Sequence, residues 1–136
     1  MIKLNKEEIL AIYDLIIEIT GGRKGIRDCG LLDSAINSAY QTFDNIEIYP
    51  SIEEKAARTG YGLISNHAFI DGNKRIGVLV MLTILDINEI NLKYSDDDLI
   101  NIGLSVASGN AGYYDLLEWI NTHKEKTKEC DVELSK

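Results

Sequence analysis

Proline is almost missing from this chain: Pro50 is the single one in 136 residues. Helices are therefore free to run without the interior breaks that proline imposes. Cysteine is scarce too. Cys29 and Cys130 stand far apart, which argues against a disulfide framework and fits a reducing, cytoplasmic setting. No long hydrophobic run exists; the longest, "IGVLVMLTILDI", falls short of the roughly 20 residues that a membrane-spanning helix needs, so no membrane partner is expected. The opening "MIKLNKEEIL" has no cationic head followed by an apolar stretch, and no secretion signal is expected. Positive charge is in deficit, with 14 Lys and Arg against 22 Asp and Glu and a net charge of -8. An acidic surface repels phosphate backbones, so nucleic acid is not expected as a partner.

What is present reads as one all-α domain. Hydrophobic residues make up 45% and charged residues 26%, enough for a single core. Asn5 with Glu8 has the spacing of a capping pair and opens a first helix with Ile9, Ile12, Tyr13, Ile16 and Ile19 on its apolar face. "TGGRKGIRDCG" breaks that pattern with four glycines and forms a loop whose Arg23, Lys24 and Arg27 could line a nucleotide pocket but are expected to be solvated. Asp28 caps a second helix carrying Leu31, Leu32, Ala35, Ile36, Ala39, Tyr40 and Phe43. "DNIEIYP" alternates instead, and is expected to be short and extended. Ser51 and Glu54 form the capping box of a third helix running up to His67, with Arg58 and Tyr61 as surface or packing residues. A fourth helix starts near Asn73 and is apolar on nearly every face, the mark of a central helix. Ser95 with Asp98 caps a fifth, and "YYDLLEWINTH" forms a sixth. The expected domain covers residues 1–123; residues 124–136 read as a charged, frayed tail.

Chemistry concentrates in "HAFIDGNKRIG", residues 67–77, between the third and fourth helices. The first amides of a helix lack internal partners and carry roughly half a positive charge, so a glycine turn at Gly72–Asn73 can bring them up to an anion. Lys74 and Arg75 place two cations in the first helical turn, against the helix's own preference, which suggests that they serve a polyphosphate. Asp71 is the natural carboxylate for Mg²⁺ shared with phosphates, and His67 the candidate general base. Taken singly each feature is ordinary: a histidine ending a helix, an Asp-Gly turn, a solvated Lys-Arg pair. Together they describe phosphoryl or nucleotidyl transfer to a hydroxyl. A metal-dependent hydrolase is a weaker rival, because His123 is the one other imidazole and protein zinc sites generally use three ligands.

The same stretch, "HAFIDGNKR", resembles the signature of the Fic/Doc family, H-x-F-x-D/E-G-N-G/K-R. Upstream, "GGRKGIRDCGLLDSAI" resembles the glycine-rich loop and second helix of its death-on-curing (Doc) branch. The resemblance implies a compact α-helical bundle around a central apolar helix. It implies His67 as the base that deprotonates a target hydroxyl, Phe69 as the loop's anchor in the core, and Asp71 as holder of Mg²⁺. Gly72 and Asn73 would form the anion hole, and Lys74 and Arg75 would contact the phosphates of ATP. Asn45, Ile46, Glu47 and Ile48 lie where the family has a flap that docks the target as an added strand.

Two departures from the AMP-transferring pattern matter: Lys74 stands in place of glycine, and Val78 in place of a second arginine. Both follow the Doc branch. The implied chemistry is γ-phosphate transfer from ATP to a Ser or Thr hydroxyl of a translation factor of the elongation factor Tu class, in the toxin of a toxin–antitoxin pair. AMP transfer is the alternative, and a non-enzymatic Fic-like binding module the next. No stretch matches the inhibitory pattern S/T-x-x-x-E-G/N, so restraint is expected in trans, from an antitoxin segment.

Overall fold

The computed structural model describes residues 1–125. Six helices carry the fold: α1 (Lys6–Thr20), α2 (Cys29–Asn37), α3 (Ile52–Ser65), α4 (Asn73–Ile87), α5 (Asp96–Ala107) and α6 (Tyr113–His123). A single 3-10 turn, Ser38–Tyr40, follows α2, and a two-stranded hairpin pairs β1 (Thr42–Phe43) with β2 (Ile46–Glu47). Local chemistry sets most helix starts. The Asn5/Glu8, Ser51/Glu54 and Ser95/Asp98 boxes are reciprocal, each side chain taking the other residue's backbone N–H. Asp28 accepts from the Leu31 amide at 2.9 Å.

The centre is a pair of helices rather than one. α3 and α4 pack most closely; α2 and α6 gather on α3, α1 lies on α4, and α5 touches both. Glycine makes the approach possible. A Cβ on Gly77 would lie 2.5 Å from Ile64 Cγ1 and 2.9 Å from the Gly60 carbonyl oxygen. Helix propensity alone would favour alanine at Gly77 by about 1 kcal/mol. The backbone contact is stiff, however, and overpacking of this kind costs more. Gly77→Ala is therefore expected to lower stability by a net 1–3 kcal/mol or so, read as a lower denaturant midpoint at unchanged slope.

Three sequence expectations need correction. α3 stops at Ser65, with Asn66 as its cap, so His67 lies beyond the helix with a left-handed φ of 51°. Asn45 is not extended: it forms the hairpin turn with Asp44, at φ 63° and 52°. Two successive positive φ values are the signature of the tight type I′ hairpin, for which Asp and Asn are well suited. The tail expected from residue 124 begins in an ordered way. Lys93 N–H donates to the His123 carbonyl at 2.8 Å and Glu125 N–H to that of Asn91 at 2.9 Å. Residues 126–136, including Cys130, lie outside the described residues. No described helix is long and apolar enough to cross a membrane.

Candidate active site

The loop 66–72 joins the two central helices and is held from three sides. From inside, Phe69 is buried and stacks on Tyr13 of α1, with ring centroids 3.8 Å apart. The Tyr13 hydroxyl then donates to the Asp71 carbonyl at 2.9 Å. From α4, the Asn73 carboxamide closes the loop on itself: it takes the Phe69 N–H and donates to the Phe69 carbonyl, both at 3.0 Å. From the glycine-rich segment, Ile26 bridges Phe69, and Ile70 N–H donates to the Gly25 carbonyl at 2.9 Å.

Gly72 completes the turn at φ 83°, where a Cβ would meet Ile17 Cδ1 at 2.9 Å. α4 starts there with no side-chain cap, and its first internal bond runs from Ile76 N–H to the Gly72 carbonyl. The amides of Asn73, Lys74 and Arg75 thus have no partner within the helix. They border a cleft of about 440 Å³ lined by His67, Asp71, Gly72, Asn73, Lys74 and Arg75, among others. The loop and the start of α4 therefore bring His67, Asp71, Gly72, Lys74 and Arg75 to one opening. Asn73 contributes its backbone there, because both ends of its side chain are engaged by Phe69.

The two cations differ. Arg75 donates to Thr20 Oγ1 and, at 2.8 Å, to the Gly21 carbonyl, and its other nitrogen lies 3.7 Å from Asp71 Oδ1. It sits at the carbonyl end of α1, where a cation is electrostatically favoured. Lys74 makes no ion pair among the described residues. Its stem passes close to Gly103 of α5.

Asp71 is about half exposed, with Oδ1 accepting from Gly72 N–H at 2.8 Å and Oδ2 from Arg23 N–H at 3.3 Å. A half-exposed carboxylate has lone pairs left on both oxygens, and can ligate a Mg²⁺ that takes its remaining ligands from phosphates and water; the amides and cations beside it suit the phosphates. Among the described residues no three of His, Cys, Asp and Glu gather as an all-protein metal cage. His123 lies elsewhere, with Nδ1 2.7 Å from the Trp119 carbonyl and Nε2 3.6 Å from Asp98.

The hairpin leaves one strand edge unpaired among the described residues. Ile48 N–H donates to the Gln41 carbonyl at 3.1 Å, so by antiparallel alternation Thr42 and Glu47 turn their backbone groups outward. Phe43 and Ile46 face solvent at 79% and 70% exposure, a cross-strand apolar pair. Behind it the buried Lys55 of α3 bonds the Tyr49 carbonyl and, at 3.0 Å, Glu47. Tyr49 packs edge-on against Tyr113, whose phenol is pushed up to about 12 by burial and the nearby Glu54 carboxylate.

Phe43, expected on the second helix, lies instead in β1, because α2 ends at Asn37 and the 3-10 turn follows; Tyr13 was expected only as a core residue, and Lys55 was not singled out. The helical spacing that suggested a longer second helix is broken at Gln41, and Tyr13 and Lys55 read as routine helix residues. The basic loop is also more committed than expected. Lys24 pairs with Asp14 at 3.2 Å, and Arg27 donates to the loop that carries His67.

A helical bundle that presents a histidine and an uncapped, cation-bearing helix N-terminus to one cleft has the parts of an anion-binding site. The chain belongs to the Fic/DOC family, whose model matches residues 3–85. It is 35% identical over 103 residues to a protein of Mycolicibacterium smegmatis named Toxin Doc, a match covering 72% of this chain and 77% of that one.

Proposed function

We propose that this protein is the toxin of a toxin–antitoxin pair and a phosphotransferase that moves the γ-phosphate of ATP to a Ser or Thr hydroxyl of a translation factor of the elongation factor Tu class. The observation that carries the proposal is the exposed His67 at the rim of a cleft whose other wall is the uncapped start of α4 with the unpaired Lys74. In this reading the N–H groups of α4 and the Lys74 ammonium hold the polyphosphate. The target segment lies along the outward edge of the flap, Ile46–Ile48, and brings its hydroxyl to His67. His67 takes the hydroxyl proton as the oxygen forms a bond to the γ-phosphorus, the bridging bond to the β-phosphate breaks, and ADP leaves. Mg²⁺, held by Asp71, would neutralise charge on the phosphates. Arg75 holds Asp71 in place and has one edge left for phosphate.

The name of the Mycolicibacterium smegmatis relative supports the toxin reading, and with it a cognate antitoxin. An apolar groove of about 310 Å³ between α1, α4 and α5, lined by Ile16, Leu79, Leu82 and Ile100, ends at Lys74 and Arg75. It offers a seat for an antitoxin segment that would cover the cleft in trans. The test is induced expression in a bacterial host, with incorporation of labelled amino acid as the readout. Arrest of synthesis within minutes, relieved by co-expressing the small protein encoded beside the gene, is the expected result. Uninterrupted synthesis with soluble protein accumulating would refute the toxin reading.

A further inference from the structure

His67 occupies the left-handed region at φ 51°, where a residue with a Cβ sits only if its surroundings hold it. Its imidazole is exposed, and no hydrogen bond of that ring is found among the described residues. The constraint must therefore act on the main chain. Three successive carbonyls pass through this point, and residues 27 and 28 take all three. Arg27 Nε donates to the His67 carbonyl at 2.7 Å and Nη2 to the Asn66 carbonyl at 3.3 Å. The amides of Arg27 and Asp28 donate to the Ala68 carbonyl at 2.7 and 3.1 Å.

We propose that Arg27 is a positioning residue for His67: its guanidinium fork fixes the two peptide units flanking that residue and so sets where the imidazole projects into the cleft. The chemistry suits the task. A planar guanidinium presents several N–H groups in one rigid arrangement, so it can bridge two neighbouring carbonyls at once, which a lysine ammonium does with less geometric definition. The placement is built in on both sides. Asp28, the next residue, caps α2 and anchors Arg27's backbone, while Asn66 reaches back through its carboxamide to the Leu31 carbonyl at 3.1 Å. The stretch 66–68 is thus tied to the first turn of α2 and not only to the two helices it joins.

The catalytic consequence rests on the proposed role of His67, but the geometric one does not, and the experiment separates them. With two histidines in the chain, a carbon–proton correlation spectrum of the full-length protein contains two imidazole Cε1–H signals, and His67→Ala assigns them. Arg27→Met keeps the apolar stem and removes every N–H. It is expected to shift or broaden the His67 signal and leave that of His123, on the far helix α6, in place. In an assay that follows transfer of label from γ-labelled ATP to elongation factor Tu, the same variant should lose roughly 10- to 100-fold in kcat while KM for ATP stays within about twofold, since a displaced base costs rate and not nucleotide affinity. Arg27→Lys should recover part of both effects, and it serves alone if Arg27→Met does not fold. A purely structural link would move the melting temperature without this split. An unmoved His67 signal in the folded variant overturns the proposal, whether or not the wild type transfers phosphate. A moved signal with unchanged kcat overturns its catalytic part.

Discussion

His67→Ala is expected to fold like the parent protein and to transfer no detectable phosphate. The two halves of that result have separate causes. The side chain is exposed and makes no hydrogen bond among the described residues, so its removal empties no cavity and strands no partner. What remains is the left-handed backbone, which alanine tolerates slightly less well than histidine; the stability change should stay within about 1 kcal/mol. Loss of a positioned general base, by contrast, typically lowers the rate by roughly 10²–10⁴-fold. A melting curve and a single-turnover assay on the same preparation check both halves. A variant that melts like the parent and still transfers within a factor of a few would mean that the proton leaves by another route.

Phe69→Ala is expected to fail in the opposite order, through the fold first. The ring is 1% exposed and stacked on Tyr13, with planes inclined by 16°. Truncating a buried phenylalanine costs about 3–5 kcal/mol, and the lost aromatic pair is part of that figure. Against a typical total of roughly 5–15 kcal/mol, such a loss leaves little margin. The effect also reaches the site, because Tyr13 carries the Asp71 carbonyl and Asn73 closes on the backbone of Phe69. Chemical denaturation should show the large drop, and addition of ATP should recover less stability than in the parent. Phe69→Leu should lie between the two. A fall of under about 1 kcal/mol for the alanine variant would show that the loop does not depend on this anchor.

Local signals in the sequence carried much of the fold. The reciprocal boxes at Asn5, Ser51 and Ser95 each need one turn of chain, so three residues of spacing are enough to read them. The α-helical class and family resemblance were legible for the same reason, the motif being contiguous. What stayed hidden depends on distant pairs. The centrality of α3 is masked by Ala56, Ala57, Gly60 and Gly62, which bury well but give a weak apolar signal. Arg27 and Arg75 read as solvated or substrate-facing cations because their carbonyl partners lie about 40 to 55 residues away along the chain. With those two largely engaged by the protein itself, Lys74 is the cation of the cleft that pairs with no carboxylate among the described residues. The flap's alternation was visible, whereas its partner strand, with Phe43, is two residues long and too short to show a period.

Which phosphate of ATP reaches the target reports directly on the chemistry at His67. The purified protein is incubated with Mg²⁺, elongation factor Tu and ATP carrying its label at either the γ- or the α-phosphate. The account predicts label on the factor from γ-labelled ATP alone, and none with His67→Ala. Label from α-labelled ATP would contradict it, because AMP would then be the transferred group and Lys74 would not have the role given to it here.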